Sequence, residues 1–279
     1  MVHFIYQLYL LLIMENLIIG GLAGVISRTS TAPLELRKIQ SQNAHIPNST
    51  WKDVIRLEGF SGLWKGNATN CVRIFPQMAV NYWTYKHVVS GIDNMSPSIH
   101  PFRHFIGGFV SGATAMIATY PFETIRTYLS LQTQRTQYKT PIDVVKKLGP
   151  LRLYKGLGTS IMGYGPFNAI TFATYNIYSG YFERNDANVA SMRILSGGMA
   201  GMTALSITYP TDLVRRRLQT QGFMNTPKYS GIVDCVRKIV KSEGIPGLYR
   251  GLGAAYIKIF PTLAIQFAAI DYMKDKYPR

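Results

Sequence analysis

The segment that decides the fold is YPTDLVRRRLQ, residues 209–219, because shorter versions of it occur twice upstream. These read PLELRK at 33–38 and PFETIR at 121–126, so each copy has a proline, an acid two positions later and a base three positions after the acid. The prolines at 33, 121 and 210 lie 88 and 89 residues apart. A period near ninety residues predicts three tandem copies within one domain, residues 1–279, with copies at about 14–92, 100–182 and 190–276.

Each copy follows the same order of elements, in which two long apolar helices flank a short amphipathic segment. A triplet of aromatic residue, base and glycine precedes the second long helix, at 64–66, 154–156 and 249–251, and a proline stands ten residues after each glycine. The amphipathic segments are 51–57, 142–148 and 232–241. We predict an all-α protein in which each long helix can cross a ~30 Å hydrocarbon core. The six long helices cover about 14–42, 68–90, 102–132, 158–181, 190–221 and 252–275.

The composition favours a helical membrane protein with a polar interior. Hydrophobic residues make up 47% of the chain and charged residues only 16%, while the net charge is +16. Such a charge requires an anionic partner, which could be nucleic acid, anionic lipid or a small polyanion. Several bases stand singly inside apolar helices, whereas a nucleic-acid binder presents them in stripes, so we expect no nucleic acid. A soluble helical-repeat scaffold for an acidic partner remains the alternative of a different class.

The sequence contains no recognisable catalytic or metal-binding pattern. Cys71 and Cys235 lack the spacing of a zinc site, and His100 and His104 have no cysteine or carboxylate nearby in sequence. We also find no pairing of a nucleophile with a base and no phosphate-binding loop of the Walker type. The expectation is a protein that is not an enzyme and carries no cofactor or metal.

The repeated acids and bases predict a ring of ion pairs. A proline kinks the helix toward the centre of the bundle, and an acid and a base one turn apart can then reach opposite charges on neighbouring helices. In water such ion pairs contribute only about 0–1 kcal/mol each. In a partly dehydrated neck they can hold a gate that still opens. The pairs are Glu35/Lys38, Glu123/Arg126 and Asp212/Arg215.

These three motifs, each followed by its triplet, resemble the mitochondrial carrier family over the chain from about Met14 onward. The resemblance implies a three-fold pseudo-symmetric bundle of six transmembrane helices around a central cavity, in the mitochondrial inner membrane. It places both termini on the cytosolic side and the short amphipathic helices on the matrix side. We expect a monomer in contact with membrane lipid, cardiolipin in particular.

The resemblance also assigns roles at the two ends of the cavity. The ring becomes a matrix gate, and Gln42 and Gln219 resemble the family's bracing glutamines, whereas the second copy has Ser130 at that position. The family's second, cytosolic ring is retained here only as Asp271 and Lys274. The first two copies lack its acid, so we expect a weak cytosolic gate.

Seven residues after each triplet glycine lie the family's substrate contact positions. Two bases and a glycine beside an aromatic ring fit a ligand with a polyanionic end and a flat ring. The expected substrate-binding residues are Arg73, Gly163, Tyr164 and Lys258, with Arg28, Arg216 and Asn81 along the route.

The stretch at 70–81 resembles the adenine-nucleotide branch of the family. We therefore expect exchange of nucleotides or deoxynucleotides by alternating access. Within transport, the alternative is a carrier of coenzyme A or of another phosphate-bearing cofactor.

Overall fold

The computed structural model describes residues 18–43, 50–93, 103–132, 137–183, 189–224 and 226–276, and regular structure in these ranges is entirely helical. The first copy forms α1 (18–30), α2 (Ala32–Ser41), α3 (Trp51–Glu58), a 3₁₀ helix (Phe60–Trp64), α4 (Asn67–Val72) and α5 (Ile74–Asp93). The second forms α6 (Arg103–Leu131), α7 (Pro141–Leu148), α8 (Pro150–Leu153) and α9 (Leu157–Glu183). The third forms α10 (Val189–Gln219), α11 (Ile232–Glu243), a 3₁₀ helix (Ile245–Tyr249) and α12 (Leu252–Lys276).

The long helices of the first copy, each predicted as one kinked helix at about 14–42 and 68–90, are each divided in two. The breaks fall at Thr31 and Arg73, two and three residues before a proline. Proline has no N–H to donate to the carbonyl four residues earlier. For Pro33 that carbonyl belongs to Thr29, and it accepts a hydrogen bond from the indole Nε1 of Trp64 at 2.7 Å. The long helices of the other copies continue through their prolines.

The three amphipathic segments form α3, α7 and α11, each with one buried side. The first two begin with reciprocal capping boxes, in which Thr50 pairs with Asp53 and Thr140 with Asp143. In the third copy, Cys235 and Ile239 of α11 pack in an apolar cluster with Leu213 of α10. The short helices are thereby fixed beneath the ends of the helices that carry the proline motifs.

The triplet glycines join each copy to the next. Gly66 and Gly156 have φ of +71° and +87°, which only glycine adopts without strain. A Cβ on Gly66 would lie 2.9 Å from the carbonyl oxygen of Arg126, and one on Gly156 would lie 2.8 Å from that of Arg215. The start of each second long helix therefore packs directly against the proline-motif helix of the following copy.

Two of the described segments, Arg103–Leu131 and Ile245–Ile270, are long and apolar enough to cross a membrane by length and composition. Large apolar side chains on the outer faces of α9, α10 and α12 are exposed, among them Phe172, Ile207 and Ile257. Exposed apolar surface of this kind suits contact with lipid.

Candidate functional site: an ion-pair ring and a central cavity

Three ion pairs connect the helices that carry the proline motifs. Glu35 of α2 lies 2.8 Å from Arg126 of α6, and Asp212 of α10 lies 2.9 Å from Lys38 of α2. The third pair joins Glu123 of α6 to Arg215 of α10 at 3.7 Å. Each acid thus forms an ion pair with the base of a different copy, and the three pairs close a ring.

Three of the bases expected to bind substrate are engaged by the acids of this ring. Arg73 lies 2.8 Å from Glu123, and Lys258 lies 2.5 Å from Glu35. Glu123 is also 3.2 Å from Arg216. Drawing one of these bases away from its acid would therefore weaken the charge balance of the ring itself.

The two glutamines contact the ring in different ways. Gln42 donates from Nε2 to Asp212 at 3.1 Å and to the Tyr209 hydroxyl at 3.3 Å. Gln219 accepts from Arg216 at 3.0 Å and donates to Thr124 at 3.0 Å, so it reaches the Glu123 carboxylate through Arg216. Ser130 donates to the carbonyl of Lys65 at 3.1 Å instead.

A cavity of about 860 Å³ lies against the ring. Five of the residues expected to contact substrate line it, namely Arg28, Arg73, Asn81, Arg216 and Lys258. Arg216 is only 1% exposed and is held by Glu123 and Gln219. The geometry therefore gives Arg216 a bracing position rather than an open face.

Gly163 and Tyr164 lie elsewhere, in a smaller cavity of about 250 Å³ between α6, α9 and α10. The Tyr164 hydroxyl packs on Gly112, where a Cβ would come within 2.0 Å of it. Met116, Lys38 and Arg215 line both cavities. The two spaces therefore adjoin at these side chains.

The larger cavity is strongly positive. Eight bases and two acids line it. Two more acids, Asp212 and Glu58, bind bases in the lining, so eight positive charges face four negative ones. The excess of four positive charges suits a small polyanion whose oxygens can replace carboxylates as partners of the bases. The lining bases are Arg28, Lys38, Lys65, Arg73, Arg126, Arg215, Arg216 and Lys258.

The two predicted residues of the cytosolic ring, Asp271 and Lys274, have side chains that lie outside the described part of the chain. At that end of α5, Tyr85 lines the cavity and its hydroxyl is 2.8 Å from His104 Nδ1. His100 also lies outside the described residues. Within them, no group of three or more potential metal ligands comes together.

Comparisons with known proteins agree with the three-fold sequence pattern. The sequence matches the family described as mitochondrial carrier protein three times, at residues 11–96, 97–186 and 188–279. It is 34% identical to a mitochondrial adenine nucleotide transporter of Arabidopsis thaliana, over 94% of this chain and 87% of that one. It is 33% identical to a mitochondrial adenyl nucleotide antiporter of Homo sapiens, over 94% of this chain but 58% of that longer protein. A mitochondrial substrate carrier family protein of Dictyostelium discoideum is 31% identical, over 92% of both chains.

Proposed function

Because the chain belongs to the mitochondrial carrier family, we propose that it exchanges nucleotides or deoxynucleotides across the mitochondrial inner membrane by alternating access. The observation that carries the proposal is the cavity with its excess of four positive charges, closed at one end by the ion-pair ring. The names of the plant and human relatives, an adenine nucleotide transporter and an adenyl nucleotide antiporter, support a nucleotide as the anion.

The proposed architecture has six spanning helices, formed by α1 with α2, α4 with α5, α6, α9, α10 and α12, with the ring as the matrix gate. A single chain contains the whole cavity, so a monomer suffices. An apolar hollow of about 760 Å³ between α2, α3 and the start of α12 has Arg37 and Lys52 at its edge. That combination supports contact with an anionic lipid such as cardiolipin.

In the proposed cycle, the substrate competes with the acids of the gate. Phosphate oxygens bind Arg73 and Lys258 and draw them from Glu123 and Glu35, which lowers the number of cations holding the ring together. The nucleobase occupies the smaller cavity, where Tyr164 offers a ring for stacking. The gate then opens toward the matrix with the substrate in place.

Exchange by purified protein in liposomes tests this proposal. Uptake of labelled ATP is expected only when the vesicles are preloaded with a nucleotide, and Arg73→Ala is expected to abolish it. Lys146→Ala, which removes an exposed base from α7 outside the cavity, is the matched control. Uptake into empty vesicles, or uptake unaffected by Arg73→Ala, would contradict the mechanism. Competition by coenzyme A against ATP identifies the preferred ligand.

A further inference from the structure

The three copies differ in charge at one pair of equivalent positions, and the difference centres on Asn70. This residue lies four positions after the triplet glycine, where the other copies have Ser160 and Ala255. Arg28 lies five positions before the motif proline, where the other copies have Met116 and Leu205. The first copy alone has polar residues at both positions.

In each copy the structure brings these two positions into the same cavity or apolar cluster. Met116 and Ser160 both line the smaller cavity. Leu205 packs against the apolar cluster that contains Ala255. Arg28 and Asn70 are hydrogen-bonded in the larger cavity. The first copy therefore carries a cation and its acceptor at a pair of positions that is apolar or uncharged in the other two copies.

Asn70 accepts hydrogen bonds from two guanidinium groups. Its side-chain Oδ1 is 3.0 Å from Nη1 of Arg28 and 3.0 Å from Nη1 of Arg126. Its backbone carbonyl is 3.4 Å from the same nitrogen of Arg28. Asn70 is 5% exposed, so few solvent molecules compete with these donors. One amide oxygen thus links a cavity base to a base of the ring.

Arg28 differs from the other seven bases of the cavity in its partners. Each of the seven forms an ion pair with an acid, whereas no carboxylate among the described residues lies within 4.0 Å of Arg28. A neutral amide holds a guanidinium less strongly than a carboxylate does. Arg28 can therefore exchange its acceptor for a phosphate at lower cost than Arg73 or Lys258.

We propose that Asn70 is a positioning residue that orients Arg28 toward the cavity, so that Arg28 is the first base to bind the polyanion. The Asn70 side-chain oxygen, which also accepts from Arg126, connects Arg28 to the ring. The proposal rests on the proposed function, since it assigns the order in which the bases of that same site engage the anion. When a phosphate binds Arg28, the side-chain oxygen of Asn70 keeps only its hydrogen bond from Arg126.

A double-mutant cycle in the liposome exchange assay tests the link between Asn70 and Arg28. Asn70→Ala is expected to raise the KM for ATP about tenfold, on the order of the loss of one hydrogen bond to a charged group. If Asn70 acts by orienting Arg28, then adding Asn70→Ala to Arg28→Gln raises KM little further. Asn176→Ala, at an exposed position of α9, is the control.

Asn70→Asp keeps the shape and acceptor of Asn70 but adds a charge, which distinguishes positioning from structural support. The new carboxylate is expected to hold Arg28 and Arg126 more tightly. This raises KM and lowers the maximal rate without lowering the thermal unfolding temperature in detergent. A structural role alone would leave KM near that of the unmodified protein.

Two results would overturn the inference: KM increases that multiply in the double variant, or an unchanged KM in Asn70→Asp. If Asn70→Ala does not fold, Asn70→Asp decides alone. Absence of any nucleotide exchange by the unmodified protein would instead refute the proposed function, and the inference with it. The stabilisation of the detergent-solubilised protein by ATP, compared between the unmodified protein and Asn70→Asp, measures binding without transport.

Discussion

At the residue scale, the three acids of the ring are not equivalent. Glu123 has four cations within 3.7 Å, namely Arg73, Arg126, Arg215 and Arg216. Asp212 is bound by Lys38, Arg215 and the amide of Gln42. Side-chain exposure is 7% for Glu123 and 20% for Asp212. Glu123 therefore balances more positive charge than Asp212 does, and its side chain is less exposed to solvent.

Glu123→Gln is expected to destabilise the closed ring more than Asp212→Asn does. Removing one partner from a buried cluster leaves uncompensated charges and costs about 3 kcal/mol or more, against about 1 kcal/mol at a more exposed pair. Thermal unfolding of the two variants in detergent measures the difference. Equal shifts would show that the additional cations around Glu123 contribute little.

The triplet glycine at 156 supplies a second prediction at this scale. Gly156→Ala places a Cβ 2.8 Å from the carbonyl of Arg215 at a φ of +87°, and strain of this kind costs about 1–3 kcal/mol. Gly158→Ala is the matched control because a Cβ there meets no atom within 4 Å and the residue is helical. We expect a lower unfolding temperature for Gly156→Ala only. Similar temperatures for the two variants would contradict the close contact.

The sequence predicts most of the charged residues that line the larger cavity, but not the place of Gly163 and Tyr164 outside it and not all of the partners of the bases. The spacing of the motifs is enough to place acids and bases one turn apart on three helices. That Arg73 and Lys258 reach Glu123 and Glu35 depends on helix tilt and on the breaks at Thr31 and Arg73, which the spacing does not contain. Asn70 is not among the predicted contact residues for a related reason, since its two donors come together only through helix packing.

At the element scale, the second copy reverses a packing arrangement found in the other two. In the first and third copies, Gly21 and Gly198 lie twelve residues before the motif proline and receive Phe75 and Phe260 from the second long helix. In the second copy the corresponding positions are exchanged, so that Phe109 of α6 packs over Gly165 of α9. The aromatic residue of α9 stands one position earlier, at Tyr164, which rotates it by about 100° around the helix. This accounts for the place of Tyr164 in the smaller cavity.

Exchanging the two residues tests this arrangement. Gly165→Phe alone should clash with Phe109 and cost about 1–3 kcal/mol, as overpacking does. Phe109→Gly alone should leave a gap. The double variant recreates the arrangement of the other copies and is expected to recover at least half of the summed loss. Unfolding temperatures of the four proteins measure the coupling, and additive losses would refute it.

The short helices predict how stability depends on pH. Hydrogen bonds from Thr50, first from its side chain, lower the pKa of Asp53, and the backbone N–H of Thr140 lowers the pKa of Asp143. The backbone N–H of Ser230 likewise lowers the pKa of Asp234. A carboxyl whose pKa is lower in the folded state contributes stability above its unfolded pKa, and that stability is lost as the pH falls.

These caps should therefore contribute constant stability from pH 8 to about pH 5 and lose it below about pH 4, near the unfolded pKa of aspartate. Unfolding temperatures measured across this range check the expectation. In Asp53→Asn with Asp143→Asn, the same measurement should show a shallower decline at acid pH. An unchanged decline would mean that other groups cause it.

At the scale of the whole molecule, the repeat predicts the helices better than it predicts the cavity. Four of the six long helices both begin and end within two residues of the predicted limits, because apolar periodicity and the triplets mark them in the sequence. The three-fold division at about 14–92, 100–182 and 190–276 stays a prediction. The cavity is asymmetric in charge, and this asymmetry results from substitutions within the repeat, such as Arg28, Met116 and Leu205 at one equivalent position.

The positive net charge of the cavity predicts that a cysteine inside it reacts faster with anionic than with cationic thiol reagents, without any transport. We expect Asn81→Cys, in a chain with Cys71→Ser and Cys235→Ala, to react preferentially with an anionic thiosulfonate over a cationic one. Gly91→Cys, on the same helix but outside the lining, corrects for the intrinsic reactivity of the reagents. The relative preference at position 81 should be about tenfold or more at low salt and should decrease as salt is added, because local potentials raise anion concentration and ions screen them. An anionic preference at position 81 equal to that at position 91, or one insensitive to salt, would mean that the excess positive charge does not raise the electrostatic potential in the cavity solvent. A polyanionic substrate would then lack its main physical reason.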